Sequence, residues 1–467
     1  MLQQMNHAPA EVRNVPQIGL RDRLAGRLLD WAVTCMERRP SVWFSRSNAQ
    51  GSDADWPPPV IPQAIVRAVQ DIRLRRLVSY VAEKSPFYSS AFARMNFDAR
   101  RFEGIAGISG LPLTTPEDVQ RGEQLRCVPY EEVARVFTTS GTSREPKEIW
   151  LTKGDFDGMV NLAVNMQRGQ LSSRRVMMVA HAEGMFCILP FAQAVTERLG
   201  GLVLPIGQPT PTETLKLIDR FRPNAFMTSP SYMAAVTKAA AAESFTYKLE
   251  RVDLDGEIMT PRQGKHIAEY WGAEVYNGYG MTEVGSIGFG APGCDAVHLN
   301  DLQTHVEILD PLTLEPAEEG ELVATTLTFR AMPLLRYRTG DRCRWVNCRC
   351  GWLAPAIRVA GRIGDDVVIA ATNLHGVRIA ESLSELDGVT GSVEVVVDHI
   401  DGVDQLSLRV GVEPEHRLRP DAVVQRLFAA YPALREDHRA SAFEMSVELA
   451  ENLRLAPKSL RVRDLRA

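Results

Sequence analysis

Apolar residues recur three and four positions apart through residues 62–82, at Ile65, Val69, Ile72, Leu74, Leu77, Val78 and Val81, with arginines between them. That spacing predicts an amphipathic helix ending near Ser85-Pro86. Further along, short β-type runs at 176–179, 202–205 and 225–228 alternate with helical runs at 186–199 and 211–221. Strand, helix, strand in that order reads as βαβ units and a mostly parallel sheet. After Gly285 the helical period gives way to short strands at 305–309, 320–326 and 341–346. A boundary is expected at Gly361-Arg362, followed by an antiparallel pair at 391–397 and 405–412 and a helix at 421–431. The expected class is α/β. A large N-terminal domain over 1–361, with mostly parallel sheets and a β-rich subregion, precedes a small α+β domain over 362–467. Within the first, residues 1–60 end in a polar, Pro-rich run and read as a peripheral leader.

Composition narrows the function classes. The 467 residues carry 53 Lys plus Arg against 58 Asp plus Glu, a formal charge of −5, with 45% hydrophobic and 24% charged residues. This is the balance of an ordinary globular chain, without the concentrated basic surface that nucleic-acid binding needs. The first sixteen residues lack the unbroken apolar stretch of a secretory signal, and the most apolar segment, 176–195, is broken by His181, Glu183 and Pro190. Neither a membrane span nor export is expected, so the chain is read as cytoplasmic. Its seven cysteines are then expected reduced unless they bind metal or do chemistry.

Four segments carry candidate chemistry. The first, 136–147, leads from Val136-Phe137 into Thr138-Thr139-Ser140-Gly141-Thr142-Ser143 flanked by Arg144 and Lys147. Hydroxyl and backbone donors gathered on a turn suit a polyphosphate, although the same residues suit a plain surface turn. The second, 276–283, follows a strand-like run and gathers Tyr276, Gly278, Tyr279, Gly280, Thr282 and Glu283. Aromatics can stack on a base, glycines let backbone approach a ligand, and a carboxylate can hold Mg2+ beside phosphate; a strand ending in a turn is the alternative. The third and fourth, 335–341 and 361–366, offer Asp341 and Arg362 as partners for ribose hydroxyls or as a salt-bridged hairpin.

Taken in order, these segments resemble the adenylate-forming superfamily of acyl-CoA ligases, and within it the phenylacetate-CoA ligase family. Leu77-Val78 through Lys84-Ser85-Pro86-Phe87-Tyr88, and Leu111-Pro112-Leu113-Thr114-Thr115-Pro116-Glu117-Asp118, are similar to that family's N-terminal signature, so the resemblance runs over roughly 62–467. It implies an enzyme that uses ATP to convert a carboxylic acid to an acyl-adenylate and passes the acyl group to coenzyme A, releasing AMP and pyrophosphate. By resemblance, Ser140, Gly141 and Thr142 would grip the pyrophosphate end, Thr282 the α-phosphate and Glu283 the Mg2+. Gly256 and Glu257 would form the adenine-side turn, Tyr279 would stack on the base, and Asp341 with Arg362 would hold the ribose. Lys458 matches the lysine that neutralises charge during adenylation, on a small domain that rotates between half-reactions about Gly364 or Asp365. Arg144 and Pro457 stand where the family has glycines, and one extra residue separates Arg362 from the Asp pair. The acid-binding wall would draw on His181 and Phe186, with Tyr276, Gly278 and Gly280 across from it, which favours an aromatic or other compact acid.

Cys294, His298, Cys348 and Cys350 supply three thiols and an imidazole, a set that matches a closed tetrahedral zinc site and resembles an arrangement in relatives, with Cys343 as a substitute. Unliganded thiols are the alternative. Cys35, Cys127 and Cys187 are read as apolar filling. The expected partner is a small-molecule carboxylic acid. An acyl-carrier protein is the alternative acceptor, a homodimer is compatible with the sequence, and a non-catalytic nucleotide-binding homologue is the rival reading.

Overall fold

The computed structural model describes residues 63–139, 147–167, 174–181, 183–290, 294, 296–348, 350, 354–369, 372–400, 403–414, 416–439, 443–451, 453, 455 and 461–465. Ser140, Gly141, Thr142, Arg144, Pro457, Lys458, Cys35 and the 1–60 leader lie outside them.

The described residues open with α1 (Gln63–Lys84), whose Leu74, Leu77, Val78 and Val81 are buried, and turn at Ser85 into α2 (Pro86–Arg94). The Ser85 hydroxyl accepts from the Tyr88 N–H, capping the new helix at the predicted break. An antiparallel hairpin follows, β1 (Val133–Thr138) with β2 (Glu148–Thr152), and then α3 (Lys153–Gln167). The expected βαβ run is present as β3 (Val176–Ala180), α4 (Ile188–Arg198), β4 (Leu202–Pro205), α5 (Pro211–Phe221), β5 (Ala225–Thr228), α6 (Pro230–Ala242), β6 (Arg251–Leu254), α7 (Pro261–Trp271) and β7 (Glu274–Met281). Helices α5, α6 and α7 each begin with a hydroxyl residue and a proline, at Thr210-Pro211, Ser229-Pro230 and Thr260-Pro261. The hydroxyl caps a free N–H and the proline occupies a position that needs none, so each strand-to-helix connection is set locally. On its inner side α7 buries Ile267 and Trp271, each contributing roughly 1.5–3 kcal/mol, and the Trp271 indole donates to Thr237 Oγ1 at 2.8 Å.

Beyond β7 the strands turn antiparallel: β8 (Gly285–Phe289), β9 (Val297–Leu299), β10 (Thr304–Leu309), β11 (Glu319–Thr326), β12 (Tyr337–Val346) and β13 (Ala356–Arg362). Among the described residues they join the parallel strands in one eleven-stranded sheet of order β10-β11-β12-β13-β9-β8-β7-β6-β5-β3-β4. β7 therefore pairs parallel on one side and antiparallel on the other. The glycine-rich stretch 276–281 lies within β7 rather than after it. Gly278 and Gly280 keep the ladder with β8 while carrying no side chain over the surface.

The remaining chain forms a separate hydrophobic core. It contains the hairpin β14 (Asp366–Ile369) and β15 (Thr372–His375), α8 (Gly376–Leu383), the expected antiparallel pair β16 (Val389–Ile400) and β17 (Val403–Val412), α9 (Pro420–Ala430), α10 (Pro432–Arg439), β18 (Phe443–Glu451) and β19 (Val462–Asp464). Strands β18 and β19 add in parallel to the two sides of the β16–β17 pair, completing an α+β unit. No helix of the described residues is long and apolar enough to cross a membrane.

Candidate active site

The carboxyl ends of parallel strands, beside a strand where the direction of pairing changes, are where open α/β sheets bind ligands. Here that place is the end of β7. Glu283, two residues beyond it, is 4% exposed, and its Oε1 lies 2.5 Å from Lys147 Nζ and accepts from Tyr337 Oη at 3.0 Å. Lys147 also donates to Tyr337 Oη at 3.1 Å, closing a three-membered polar cluster. Burial, and then the Glu283 carboxylate, push the Tyr337 phenol far above its ordinary range, so it stays a donor. Lys147 sits at the foot of the β1–β2 hairpin, where its carbonyl accepts from Thr139 N at 3.1 Å.

The second cluster centres on Asp341. Its Oδ1 lies 2.5 Å from Arg362 Nη1, across the β12–β13 pair, and its Oδ2 accepts from Tyr279 Oη at 2.7 Å. Each carboxylate oxygen keeps a second lone pair for another donor. Gly340, at φ +71°, permits the bend that delivers Asp341, and a Cβ there would stand 3.0 Å from Arg362 Nη2. Tyr279 is half-buried, its phenol raised by burial first and by Asp341 next. The preceding segment is braced by the signature residues near the N-terminus: Tyr88 Oη accepts from Leu335 N, and Thr114 Oγ1 donates to the Leu335 carbonyl. Arg336, a non-glycine residue at φ +45°, is 5% exposed and held by Glu307 and by the carbonyls of Ser109 and Leu111, so it serves the scaffold.

The turn that the resemblance assigns to the adenine side, Gly256-Glu257, lies at the end of β6. Gly256 has φ +78°, while the Glu257 carboxylate accepts from Ser231 N at 3.1 Å and Ser231 Oγ at 2.8 Å, binding it to the start of α6. Thr282 is half-buried between β7 and Glu283.

Residues proposed for the acid wall divide. His181 follows β3 and is 6% exposed, with Nε2 3.5 Å from Asp255 Oδ1. Gly278 faces the same place, since a Cβ on it would lie 3.5 Å from Asp255 Cβ. Phe186 is half-buried on the segment after β3, which is tied to β1 by the Thr138 N–H bond to the Met185 carbonyl at 2.7 Å. Gly280 lies at the exposed end of β7. Tyr276 sits one pleat deeper, 5% exposed, its hydroxyl donating to Glu274 and its ring capped by the Arg251 guanidinium 3.6 Å away. Arg251 is itself bound to Asp253. Tyr276 therefore belongs to a buried charged layer beneath Gly278 rather than beside His181.

Away from these clusters, Cys294, His298, Cys348 and Cys350 come together with all ligand atoms within 4.8 Å of one another. Cys294 Sγ is 3.0 Å from Cys348 Sγ and 3.6 Å from His298 Nε2, and Cys350 Sγ is 3.2 Å from the same nitrogen. His298 Nδ1 lies 3.2 Å from the Ala354 carbonyl, which fixes the ring with Nε2 toward the thiols. Cys343 stands apart, fully buried near Asp341 and Tyr279, and does not join the set. Cys127 and Cys187 pack in apolar surroundings, and burial pushes each thiol up to about 12.

The residues without an assigned role in the sequence reading are Lys147, Tyr337 and Asp255. All three lie inside or beside quoted motifs, and a charged or phenolic side chain there was the available signal.

Comparison with known proteins agrees with this geometry. A family profile described as AMP-binding enzyme matches residues 76–327. The chain is 31% identical over 379 residues to a phenylacetate-coenzyme A ligase of Thermus thermophilus, covering 76% of this chain and 84% of that relative. A phenylacetate-coenzyme A ligase of Escherichia coli is 26% identical over 359 residues, covering 74% and 82%. A crystal structure of 2-hydroxyisobutyryl-CoA ligase in the postadenylation state shares the fold, with a TM-score of 0.72 at 22% identity over 89% of this chain and 95% of that one. The chain belongs to the AMP-binding enzyme family and, within it, to the phenylacetate-coenzyme A ligase-like acid–thiol ligases that form AMP.

Proposed function

We propose that this chain joins a compact, aromatic carboxylic acid to coenzyme A in two steps at the end of β7. In the first, a carboxylate oxygen attacks the α-phosphorus of ATP and pyrophosphate leaves. In the second, the coenzyme A sulfur attacks the acyl carbon and AMP leaves with the bridging oxygen. A carboxylate is a poor electrophile, so the site's task is to neutralise phosphate charge and hold two anions together. Asp341 and Arg362 would take the ribose hydroxyls, Tyr279 would lie against the base over the Gly256-Glu257 backbone, and Thr282 would donate to the α-phosphate. Ser140, Gly141, Thr142 and Lys147 would hold the departing pyrophosphate, and Lys458 would supply the cation of the adenylation step. Glu283 is the hard anionic ligand that suits Mg2+, which would supply charge neutralisation between phosphates.

The observation that carries this reading is the meeting of residues from four sequence-distant motifs in two polar clusters, Lys147 with Glu283 and Tyr337, and Asp341 with Arg362 and Tyr279, on interior strands of the sheet. The domain boundary would fall at Arg362 with Gly364 as the pivot, a choice supported by its φ of +85° and the open space around it among the described residues, whereas Asp365 is 2% exposed and accepts from Val462 N at 2.7 Å. The three thiols and His298 fit one structural zinc in donor type, number and spacing, and as a four-ligand site it would brace β9 against Cys348 and Cys350 without an open position for catalysis. The enzyme would act in the cytoplasm, where those thiols stay reduced. Acid-dependent exchange of labelled pyrophosphate into ATP, over a panel of aryl and small aliphatic acids, tests the reading. Exchange with at least one acid is expected. ATP binding without exchange for any acid would favour a non-catalytic nucleotide-binding protein.

A further inference from the structure

Two polar atoms at the end of the parallel sheet have no hydrogen-bond partner among the described residues: His181 Nε2 and Asp255 Oδ2, both fully buried. The side chains reach toward each other from β3 and β6 across the end of β5, but at 3.5 Å their contact is too long and too poorly aimed for a hydrogen bond. Nor is it an ion pair. Burial pushes the His181 imidazole down to about 4, and burial, then Asp253 and Glu257, push the Asp255 carboxyl well above its usual range, so both groups are held toward their neutral forms. Native chains rarely leave buried polar atoms unmatched, because each such atom carries its full desolvation penalty. Gly278, opposite them, supplies no side chain to cover the Asp255 carboxyl.

On the reading of this site as an acyl pocket, we propose that His181 and Asp255 recognise a neutral hydrogen-bonding substituent, a hydroxyl, on the carboxylic acid that the enzyme activates. A hydroxyl both donates and accepts, so one group satisfies one orphan atom of each kind. An unsubstituted ring or alkyl chain would leave both unpaired. A second carboxylate would have to give up its hydration beside the charges of Asp253 and Glu257, the same field that raises Asp255, and would be rejected. Sites built around a substrate hydroxyl discriminate strongly against the analogue that lacks it, by as much as about 10⁴- to 10⁵-fold where both partners are buried.

The test measures kcat/KM by pyrophosphate exchange for matched pairs of acids: hydroxyphenyl against phenyl, 2-hydroxyalkyl against alkyl, with amino-substituted and dicarboxylic members as further arms. A preference of at least tenfold for a hydroxylated member is expected. In the His181→Leu and Asp255→Leu variants that ratio should collapse toward one or invert, while KM for ATP is unchanged. The ratio is the diagnostic, since a purely structural role would lower both rates together and leave it intact. Equal use of the unsubstituted acids by the unaltered enzyme would overturn the inference while leaving the ligase reading in place, and this outcome does not depend on any variant folding. A raised KM for ATP with an unchanged acid ratio would overturn it too, by assigning the pair to the nucleotide. Exchange with no acid at all would overturn the ligase reading itself and this inference with it.

Discussion

Replacing Lys147 with methionine keeps the aliphatic stem and removes the charge from Glu283's nearest cationic partner. The Lys147 side chain is 15% exposed and Glu283's is 5%, so the pair is largely desolvated, and Tyr337 donates to the same carboxylate oxygen. Removing one member of such a pair costs about 3–5 kcal/mol, because the survivor is left as an uncompensated buried charge. The narrow exposure of Lys147 and the remaining phenol place the expected loss near the lower end, about 3 kcal/mol. Glu283→Gln should cost a similar amount by leaving the ammonium unmatched. The double variant removes both charges and should sit within about 1 kcal/mol of the parent, since apolar or neutral replacement of a buried pair is often near neutral. Thermal unfolding of the free protein reads this: at roughly 2–4 °C per kcal/mol for a large domain, each single change should lower Tm by about 6–12 °C and the double by far less. The coupling energy, more than about 2 kcal/mol, is the decisive quantity. Single losses below about 1 kcal/mol, or losses that add in the double variant, would show that water screens the pair and that the tight environment assigned to Glu283 is wrong.

The other predictions follow from separate parts of the structure. Lys458→Ala should slow adenylation about 10²- to 10³-fold while sparing thioester formation from preformed acyl-adenylate; equal loss in both half-reactions would deny it that role. Asp341→Ala should raise KM for ATP and leave KM for the acid little changed, and unaltered ATP dependence would remove Asp341 from the ribose. Protein purified without chelator should hold close to one zinc per chain, lost when Cys348 and Cys350 are both changed to Ser, with Tm lowered but the second core intact; zinc well below one per chain that does not fall in that variant refutes the site. The folded pKa of His181 lies below its unfolded value near 6.5, so the unfolded chain takes up more protons as pH falls from about 6.5 to 4, and stability is lost through that window, by up to about 3 kcal/mol. His181→Leu should therefore lose less stability than the parent between pH 7 and 5 in urea titrations, and parallel curves would contradict a buried neutral imidazole.

Where local chemistry sets an element, the sequence reveals it. Pro211–Phe221 is readable to the residue because Thr210 and Glu213 form a capping box and the chain leaves the helix through a left-handed Arg222. The helix expected from Phe186 begins only at Ile188, since Cys187 offers no side-chain cap and apolar spacing alone marks no start. The Thr339-Gly340-Asp341 stretch reads as a turn, yet β12 runs from Tyr337 straight through it, with Gly340 absorbing a kink and the register with β13 shifting between Arg342 and Cys343. Hydroxyls and carboxylates inside motifs are visible one by one. Which of them meet is decided by pairings far apart in the chain: Lys147 with Tyr337, Tyr279 with Asp341, His181 with Asp255. The buried setting of Tyr276 under Arg251 likewise comes from the alignment of β6 with β7, which no window of residues encodes.

Oxygen transfer tests the central claim most directly. An accepted acid labelled with ¹⁸O in both carboxylate positions, incubated with the enzyme, ATP, Mg2+ and coenzyme A, should yield AMP carrying one ¹⁸O and a thioester retaining the other, because the bridging oxygen of the adenylate leaves with the nucleotide. Label appearing in orthophosphate alongside ADP, or thioester formed with unlabelled AMP, would contradict activation through an acyl-adenylate.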